Sequence, residues 1–482
     1  MALAPTTAVV ASPPRAPNIQ TPSLSRVRFL DLLVLAIGQK GRALYRASGS
    51  GGVDSRASRL HNGSVRALAA VALLSILLAG GAWFAREARA GDRELPVYVT
   101  AAERMLEGQE IYRPGEDRKP FTYPPFFALP FVPLALLPEG ARPWVWFAVD
   151  FAILLAILRF LHRRAGPACA GWKGASLHWI PVLLVAGRHV ASVFENQSHD
   201  LLVAGVAVLV AASWERGRER AGALAGLGAA MKATPALFSV LFVLRRRWSA
   251  LLLLIAAAIA CSLLPDLLLP RRDGGSWAVA WAERNLGQVS VAGPTSGVWG
   301  AFSFLNQSLT GTLTRLLSSP DGPAPFVVPG VALADLSGAG LRVALALAMI
   351  AVLCALAWGI ATPARDRPRA TRALGEVGLV LCAMLLLSPQ SSKSHFCVLL
   401  VPAAFCAREL TEGRARFGAK ALFWSSALLS AGTSKGIAGR ELGNRLLAMG
   451  CVTASTVLLL ATCVLLLRQP PARPSTNTTD AT

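Results

Sequence analysis

Between residues 66 and 467 the chain returns repeatedly to apolar runs of roughly 15 to 25 residues, several of them closed by a short cluster of arginines. Such runs leave two membrane architectures open, a helical bundle or a closed barrel, because lipid leaves no other way to satisfy backbone polar groups. Barrel strands alternate apolar and polar residues with period two. These runs are continuous instead, so the sequence predicts an all-α polytopic membrane protein. Composition agrees. Of 482 residues 54% are hydrophobic and 16% charged, and the mean hydropathy is +0.49, beyond what a water-soluble core of this size uses.

The formal net charge of +21 would, in a soluble chain, raise nucleic acid as a partner. Here the bases sit at the ends of apolar runs: Arg159/Arg163/Arg164, Arg216/Arg218/Arg220, Arg245/Arg246/Arg247, Arg365/Arg367/Arg369/Arg372 and Arg408/Arg414/Arg416/Lys420. No basic stripe with interleaved aromatics appears, so positive-inside topology accounts for the charge and nucleic acid is not expected. Each cluster marks an expected cytoplasmic turn. The loop 86–142 balances its bases with Glu87, Asp92, Glu94, Glu103, Glu107 and Glu110, and is expected on the other face. The eight cysteines are scattered, with no CxxC and no histidine at metal spacing, which reads as packing rather than disulfides or a metal centre.

Residues 1–65, rich in Pro, Ser, Ala and Arg, are expected to form a disordered cytoplasmic tail. The first span is expected at 66–85, as a retained anchor, since the region before it is far longer than a signal peptide's basic head. The stretch 121–138 carries prolines at 124, 125, 130, 133 and 138, which oppose a regular helix. Were it to cross, Arg159 to Arg164 would land outside, so it is expected to be juxtamembrane or re-entrant. Spans follow at 143–161, 177–194 and 199–214. The stretch 221–247 has arginines at both ends and Lys232-Ala233-Thr234-Pro235 at its centre, and is expected to be a broken hairpin with both basic ends on one side. Further spans at 248–268, 341–361, 374–388, 394–407, 418–433 and 445–467 bring the total to roughly eleven crossings. They leave a cytoplasmic tail at 468–482. The segment 269–340 falls outside and contains two stretches amphipathic enough for surface helices.

On this topology the polar clusters other than the basic turns collect on the outer face: Asp92 and Glu94; Tyr98, Tyr112 and Tyr123; Glu195 to Asp200; Asn306 and Gln307; and Ser388 to His395. Each alone reads as a solvated loop or helix cap. Together they place carboxylates, amides, histidines and a lysine at one membrane surface, where a carboxylate can serve as general base for a lipid-borne substrate. Lys232 lies deep in an apolar segment and needs an anion or an interface, either as a structural partnership or as a ligand group. Arg188 and His189 pose the same choice between an internal pair with Glu195 and an anionic-headgroup pocket.

A family resemblance runs through these residues. The order E-L-P-V-Y-V-x-A-A from Glu94, then L-x-G-x-x-I-Y ending at Tyr112, then F-x-Y-P-P-F-x-x-L-P-x-x-P-L-A-L-L-P from Phe121, resembles the first outer loop of the family 87 glycosyltransferases. Asn196-Gln197-Ser198-His199 is similar to that family's G-Q-x-N turn, and A-G-L-G-A-A-M-K-A-T-P around Lys232 to its G-L-A-x-x-L-K-x-x-P segment. Ser388-Pro389-Gln390-Ser391 with His395 resembles its S-P-x-S-W-x-H-H motif. The resemblance covers about 66–467. It implies a GT-C-like bundle with outer juxtamembrane helices, in a bacterial plasma membrane with both termini inside. The implied activity moves a mannose-like hexose or arabinofuranose from a polyprenyl-phosphate donor to a glycolipid or envelope-glycan acceptor, with no metal or cofactor.

The family's first-loop base, usually Asp, falls on Glu94, with Asp92 as second choice. Tyr98, Tyr123, Asn196, Gln197 and His199 fall on the substrate-binding surface, and Lys232, Arg188, Lys393 and His395 are the groups that would hold the leaving phosphate. The chain departs from the pattern at Glu94, at Asn196 for Gly, and at Ser392 and Lys393 for Trp and an acid. Two other readings stand beside the enzyme: a lipid-linked glycan transporter, and an inactive relative.

Overall fold

A computed structural model describes residues 75, 77–88, 93–113, 119–167, 172–286, 300–320, 322, 326–361 and 368–469. Both expected tails lie outside these residues apart from Arg468 and Gln469, and so does Asp92. The described residues are helical, with no strand among them. In chain order the principal helices are α1 (77–88), α2 (Leu95–Leu106), α3 (Arg142–Ala165), α4 (Trp172–Asn196), α5 (Asp200–Glu215), α6 (Arg220–Met231), α7 (Phe238–Leu244) and α8 (Trp248–Leu268). There follow α9 (Leu309–Leu317), α10 (Gly338–Ala361), α11 (Arg369–Leu387), α12 (Leu400–Thr411), α13 (Phe417–Gly432) and α14 (Cys451–Arg468).

Among the described residues six helices, α3, α4, α8, α10, α11 and α14, are long and apolar enough to cross a membrane. The protein is a multi-pass membrane protein. The other expected crossings fall on shorter elements: α5 and α13, α12 with the 3-10 turn before it, and the two arms α6 and α7. Burial separates the roles of the long helices. The apolar window of α11 is 83% buried, so this helix runs through the centre of the bundle, whereas that of α8 is 11% buried. An exposed leucine face such as that of α8 carries no penalty in lipid, whose tails are as apolar as the side chains.

The stretch around Lys232 breaks where its residues require. Helix α6 ends at Met231, Lys232 is extended (φ −152°, ψ 124°), and a 3-10 turn Thr234–Leu237 leads into α7. Pro235 has no N–H for the helical ladder, and in a continuous helix its ring would clash with the carbonyl of Met231, four residues earlier, where α6 ends. The two arms fold back, because their far ends meet: Arg247 donates to the Gly217 carbonyl and pairs with Glu219 at 2.8 Å. Glu376, at the start of α11, gathers Arg245, Arg372 and the indole of Trp214 at the same end. The basic clusters at 216–220, 245–247 and 369–372 thus share one end of the bundle.

Arm α6 lies flush on α8. A Cβ at Gly222 would run into the Ala250 carbonyl, and one at Gly226 into that of Leu254. Small residues at such crossings let two helix backbones approach within van der Waals range, the main source of helix association in lipid. A Gly222→Val substitution therefore forces α6 off α8. The expected outcome is loss of the monodisperse detergent-extracted species by size exclusion, with Gly418→Val, where no atom lies within 4 Å, as the tolerated control.

The proline-rich stretch forms a 3-10 helix, Pro125–Phe131, and one α turn, Val132–Ala135, an element too short to span. It packs Phe127 and Phe131 against Tyr98. The last span begins later than expected, at Cys451 rather than 445. Gly450 takes a left-handed conformation (φ +77°), which ends the short surface helix Arg440–Ala448 and starts α14 afresh. The segment after α8 covers the first loop: Arg271 pairs with Glu110 at 3.0 Å, and the Trp281 indole donates to the Thr122 carbonyl at 3.1 Å.

Candidate active site

At the end of the bundle opposite the basic clusters, three chain breaks face one another. The first is the α4–α5 turn. Helix α4 closes with Gln197 in the left-handed region (φ +55°) and the Ser198 N–H donating to the Val193 carbonyl, a closure that usually employs glycine. A side chain in that conformation costs about 1–2 kcal/mol. The Gln197 amide is buried and donates to the Phe84 carbonyl at 2.6 Å, which ties the turn to α1. The turn delivers Asp200 as the first residue of α5, where the helix dipole favours a carboxylate.

The second break is Lys232. Its ammonium reaches the Asp200 Oδ1 at 3.1 Å, while Ser198 Oγ donates to Oδ2 at 2.9 Å. The third is the stretch between α11 and α12. Pro389 stops α11, and a 3-10 turn Lys393–Leu399 carries His395 to 3.8 Å from Asp200. His395 Nδ1 accepts from the Ser392 N–H at 3.2 Å, so its proton resides on Nε2, the nitrogen facing Asp200. Asp200, Lys232, Thr234, Ser388, Ser391 and His395 are the polar lining of one narrow cleft, with Val203, Met384, Leu385 and Val398 as its apolar lining.

Glu94 stands beside this cleft at the start of α2, held by its own N–H to the Asn196 carbonyl at 2.9 Å. Its carboxylate lies 3.6 Å from Lys119 and 3.5 Å from the Tyr98 hydroxyl, which bonds His199 Nδ1 at 2.9 Å, next in the chain to Asp200. Tyr98, Tyr123 and Phe127 pack their rings around His199. Burial lifts the Glu94 carboxyl above its usual value of 4.5, and Asp200 adds to the rise against the pull of Lys119. The two carboxylates therefore differ in kind. Asp200 is 3% exposed and spends both oxygens on Lys232 and Ser198, whereas Glu94 is 20% exposed and proton-seeking.

The structure brings Glu94, Tyr98, Tyr123, His199, Lys232 and His395 into one neighbourhood. Asn196 and Gln197 serve the turn itself: the Asn196 amide donates back to Ser192, and Gln197 faces α1 rather than the cleft. Arg188 does not pair with Glu195. It donates to the Thr433 carbonyl at 2.9 Å and to its hydroxyl, because the Thr433 turn, not the end of α4, packs over it. The Lys393 carbonyl accepts from His189 at 2.9 Å, and Lys393 is not among the residues that line the cleft. The sequence reading missed Asp200 as the hub and Lys119 as a neighbour of the base. An Asp opening a helix, with a lysine at the centre of another apolar segment, was the available signal for the first. Lys119 offered none.

A second layer holds the third break in place. The Asn306 Oδ1 accepts from the Ser391 and Ser308 N–H groups at 3.2 and 3.1 Å, and the Gln307 N–H donates to the Ser391 carbonyl at 2.7 Å. Arg315, fully enclosed, clamps the carbonyls of Ser303, Asn306 and Ala448. Asn306→Ala strips the buried Ser391 N–H of its acceptor, at a cost of about 1–3 kcal/mol. A lower unfolding temperature with higher substrate KM, rather than loss of turnover alone, is the expected result.

Comparison with known proteins decides the family. The model of glycosyltransferase family 87 matches residues 121–389, more than half of the chain. The chain belongs to that family. It is a glycosyltransferase, and the matched stretch holds Asp200, Lys232 and Ser388, with Glu94 just before it and His395 just after. A polyprenol-phosphate-mannose-dependent α-(1-2)-phosphatidylinositol pentamannoside mannosyltransferase of Mycolicibacterium smegmatis is 30% identical, over 74% of this chain and 80% of its own. The enzyme of the same description from Mycobacterium tuberculosis is 29% identical, over 78% and 80%. A phosphatidylinositol mannoside mannosyltransferase of M. smegmatis is 27% identical over 46% of this chain and 52% of its own. No solved structure matches at a significant level.

Proposed function

We propose that this family 87 glycosyltransferase moves mannose from a polyprenyl-phosphate donor to a lipid-linked glycan acceptor on the extracytoplasmic face of a bacterial plasma membrane. The donor sugar follows the activities of the relatives that are 30% and 29% identical, which are polyprenol-phosphate-mannose-dependent. The side follows from charge, since the arginine-rich ends lie opposite the cleft and basic turns stay in the cytoplasm. Both termini are then cytoplasmic. The single observation that carries the reading is the meeting of a proton-seeking carboxylate, Glu94, with a cleft that holds the Lys232 ammonium and the Nε2–H donor of His395.

The reaction is one displacement. Glu94 takes the proton of the acceptor hydroxyl as its oxygen bonds the anomeric carbon, and the bond from that carbon to the phosphate oxygen breaks with inversion. The polyprenyl phosphate leaves with the electron pair. It needs donors for its charge rather than a proton, and Lys232 and the Nε2–H of His395 supply them. Asp200 holds Lys232 in the cleft and keeps a buried ammonium in ionised company. Of the aromatic wall around His199, Tyr98 and Phe127 are fully buried, and Tyr123, which packs against both, is the partly open ring on which a sugar can lie.

The test is transfer of label from polyprenyl-phosphate mannose to lipid by membranes containing the full chain. Absence of transfer from that donor, with transfer from another polyprenyl-phosphate sugar, would overturn the mannose assignment, and absence from all of them the activity.

The pH profile carries a second check. Glu94 acts as the base only when deprotonated, so activity falls on the acid side through its raised pKa. Lys119 pulls that pKa down; removing its charge lets the pKa climb, so the base is lost at a higher pH. Lys119→Met is therefore expected to move the acid limb of kcat upward, with the plateau retained. A downward shift contradicts Glu94 as the titrating base.

A further inference from the structure

At the end of the bundle opposite the cleft, the turn between α5 and α6 docks on the turn between α7 and α8. Arg247 makes the link. It donates to the Gly217 carbonyl, pairs with Glu219 at 2.8 Å and lies over the Trp214 ring at 5.8 Å. The acids of these elements already have bases: Glu215 holds Arg164 at 3.1 Å, Glu219 holds Arg247, and Glu376 holds Arg245 and Arg372. Four arginines are left over. Arg216 and Arg218, which flank Gly217, together with Arg220 and Arg246, are exposed, and among the described residues none has a carboxylate within 4 Å.

Positive-inside topology asks for bases at this end, but not that two basic turns be fastened together. Nor does it ask for a base where the backbone favours glycine. Helix α7 closes with Arg246 in the left-handed region (φ +54°), its N–H on the Val243 carbonyl and the Arg247 N–H on that of Phe242, a closure that usually takes glycine. A guanidinium is thus kept at the apex of the turn. Below it, α8 offers a track for a chain. Trp248, Leu252, Ile255 and Ile259 are 56%, 67%, 45% and 56% exposed and recur every three or four residues, opposite the face on which α6 lies. That stripe is about 16 Å long, the depth of one leaflet of a bilayer.

We propose that the two docked turns bind the headgroup of an anionic phospholipid from the leaflet at this end, with an acyl chain lying along the Trp248–Ile259 stripe. A phosphodiester oxygen accepts from guanidinium donors of both turns, whereas a zwitterionic headgroup brings a cation of its own among them. The bound lipid fastens the open ends of the α6–α7 hairpin, whose other end places Lys232. None of this depends on the transferase reading, since binding needs no turnover.

The test reads lipid retention by native mass spectrometry, with the full chain released from nanodiscs made of equal parts phosphatidylglycerol and phosphatidylcholine with the same acyl chains. The wild type is expected to retain phosphatidylglycerol over phosphatidylcholine about ten-fold or more, the scale of two arginines at a membrane surface. The double variant Arg218→Gln/Arg246→Gly is expected to lose most of that preference. Its glycine suits the left-handed turn, so the fold is not put at risk there. Arg416→Gln/Lys420→Gln takes the same charge from the exposed start of α13 and is expected to keep the preference. Equal retention of the two lipids by the wild type, or an unchanged preference in the first variant, overturns the proposal. So does an equal loss in the second, because overall charge would then suffice.

Thermal unfolding in detergent separates a lipid from a free anion. Added phosphatidylglycerol is expected to raise the unfolding temperature of the wild type by several degrees and that of Arg218→Gln/Arg246→Gly by much less, while soluble glycerol 1-phosphate leaves both unchanged. An equal rise with glycerol 1-phosphate would mean that the turns take a free phosphate. No rise with phosphatidylglycerol would mean that the hairpin is not fastened by it. Either result overturns the proposal.

Discussion

Glu94→Gln is expected to lower kcat for sugar transfer about a hundred- to ten-thousand-fold, the share of catalysis a positioned general base supplies, while leaving the donor KM near its wild-type value. The amide fills the same space and can still accept from the Tyr98 hydroxyl, so α2 and the aromatic wall stay in place. What disappears is the proton acceptor. Two carboxylates flank the reaction, and their environments assign their roles. Asp200 is enclosed and already bound to an ammonium and a hydroxyl, whereas Glu94 is partly open and held above its usual pKa. Glu94→Asp keeps the chemistry with a carboxylate one methylene shorter and is expected to retain much more activity than the glutamine. The measurement is single-turnover transfer from labelled polyprenyl-phosphate mannose with saturating acceptor. Wild-type rates for the glutamine variant would remove Glu94 from the mechanism and direct attention to Asp92.

The second large effect lies in the Asp200–Lys232 pair. Lys232→Met leaves a carboxylate that is 3% exposed without its cation, and breaking a buried pair by removing one partner costs about 3–5 kcal/mol. The expected outcome is a markedly lower unfolding temperature in detergent together with loss of transfer. Adding Asp200→Asn to the same chain removes the stranded charge and is expected to restore most of the stability. It does not restore activity, because the leaving phosphate still lacks its ammonium. Folding and function thus separate in one double-variant cycle. Recovery of both in the double variant would show that the pair is scaffold only and that another group receives the phosphate.

These residues mark where the sequence was legible and where it was not. The break at Lys232-Ala233-Thr234-Pro235 was visible because proline acts on its own backbone, and the basic ends then required the arms to fold back. The proline-rich stretch at 121–138 was readable as non-spanning for the same reason. The late start of α14 was not, since an apolar run does not show that Gly450 adopts a left-handed turn. The sequence left the partner of Arg188 open between Glu195 and an anionic headgroup, and it gave no sign of the partner of Gln197. An arginine and a glutamate seven residues apart, 188 and 195, suggest a pair along one helix, but the Thr433 turn packs over the arginine first. Gln197 sits in a motif that reads as a binding turn, yet its amide faces the Phe84 carbonyl across the bundle.

The sequence alone determined the class of the molecule: a helical membrane protein with its bases at one end, its polar motifs at the other and a carboxylate at the head of the first outer helix. Those properties follow from hydropathy, charge and the backbone limits of proline, which act over a few residues. Only the tertiary structure decided which polar residues share a cleft, that Asp200 is the hub binding Lys232, and that Arg188 bonds the Thr433 turn. Such choices depend on contacts between segments 204 and 245 residues apart, as between His189 and Lys393 or Arg188 and Thr433. There the cost of a buried, unpaired charge is settled by whichever partner the packed helices bring near.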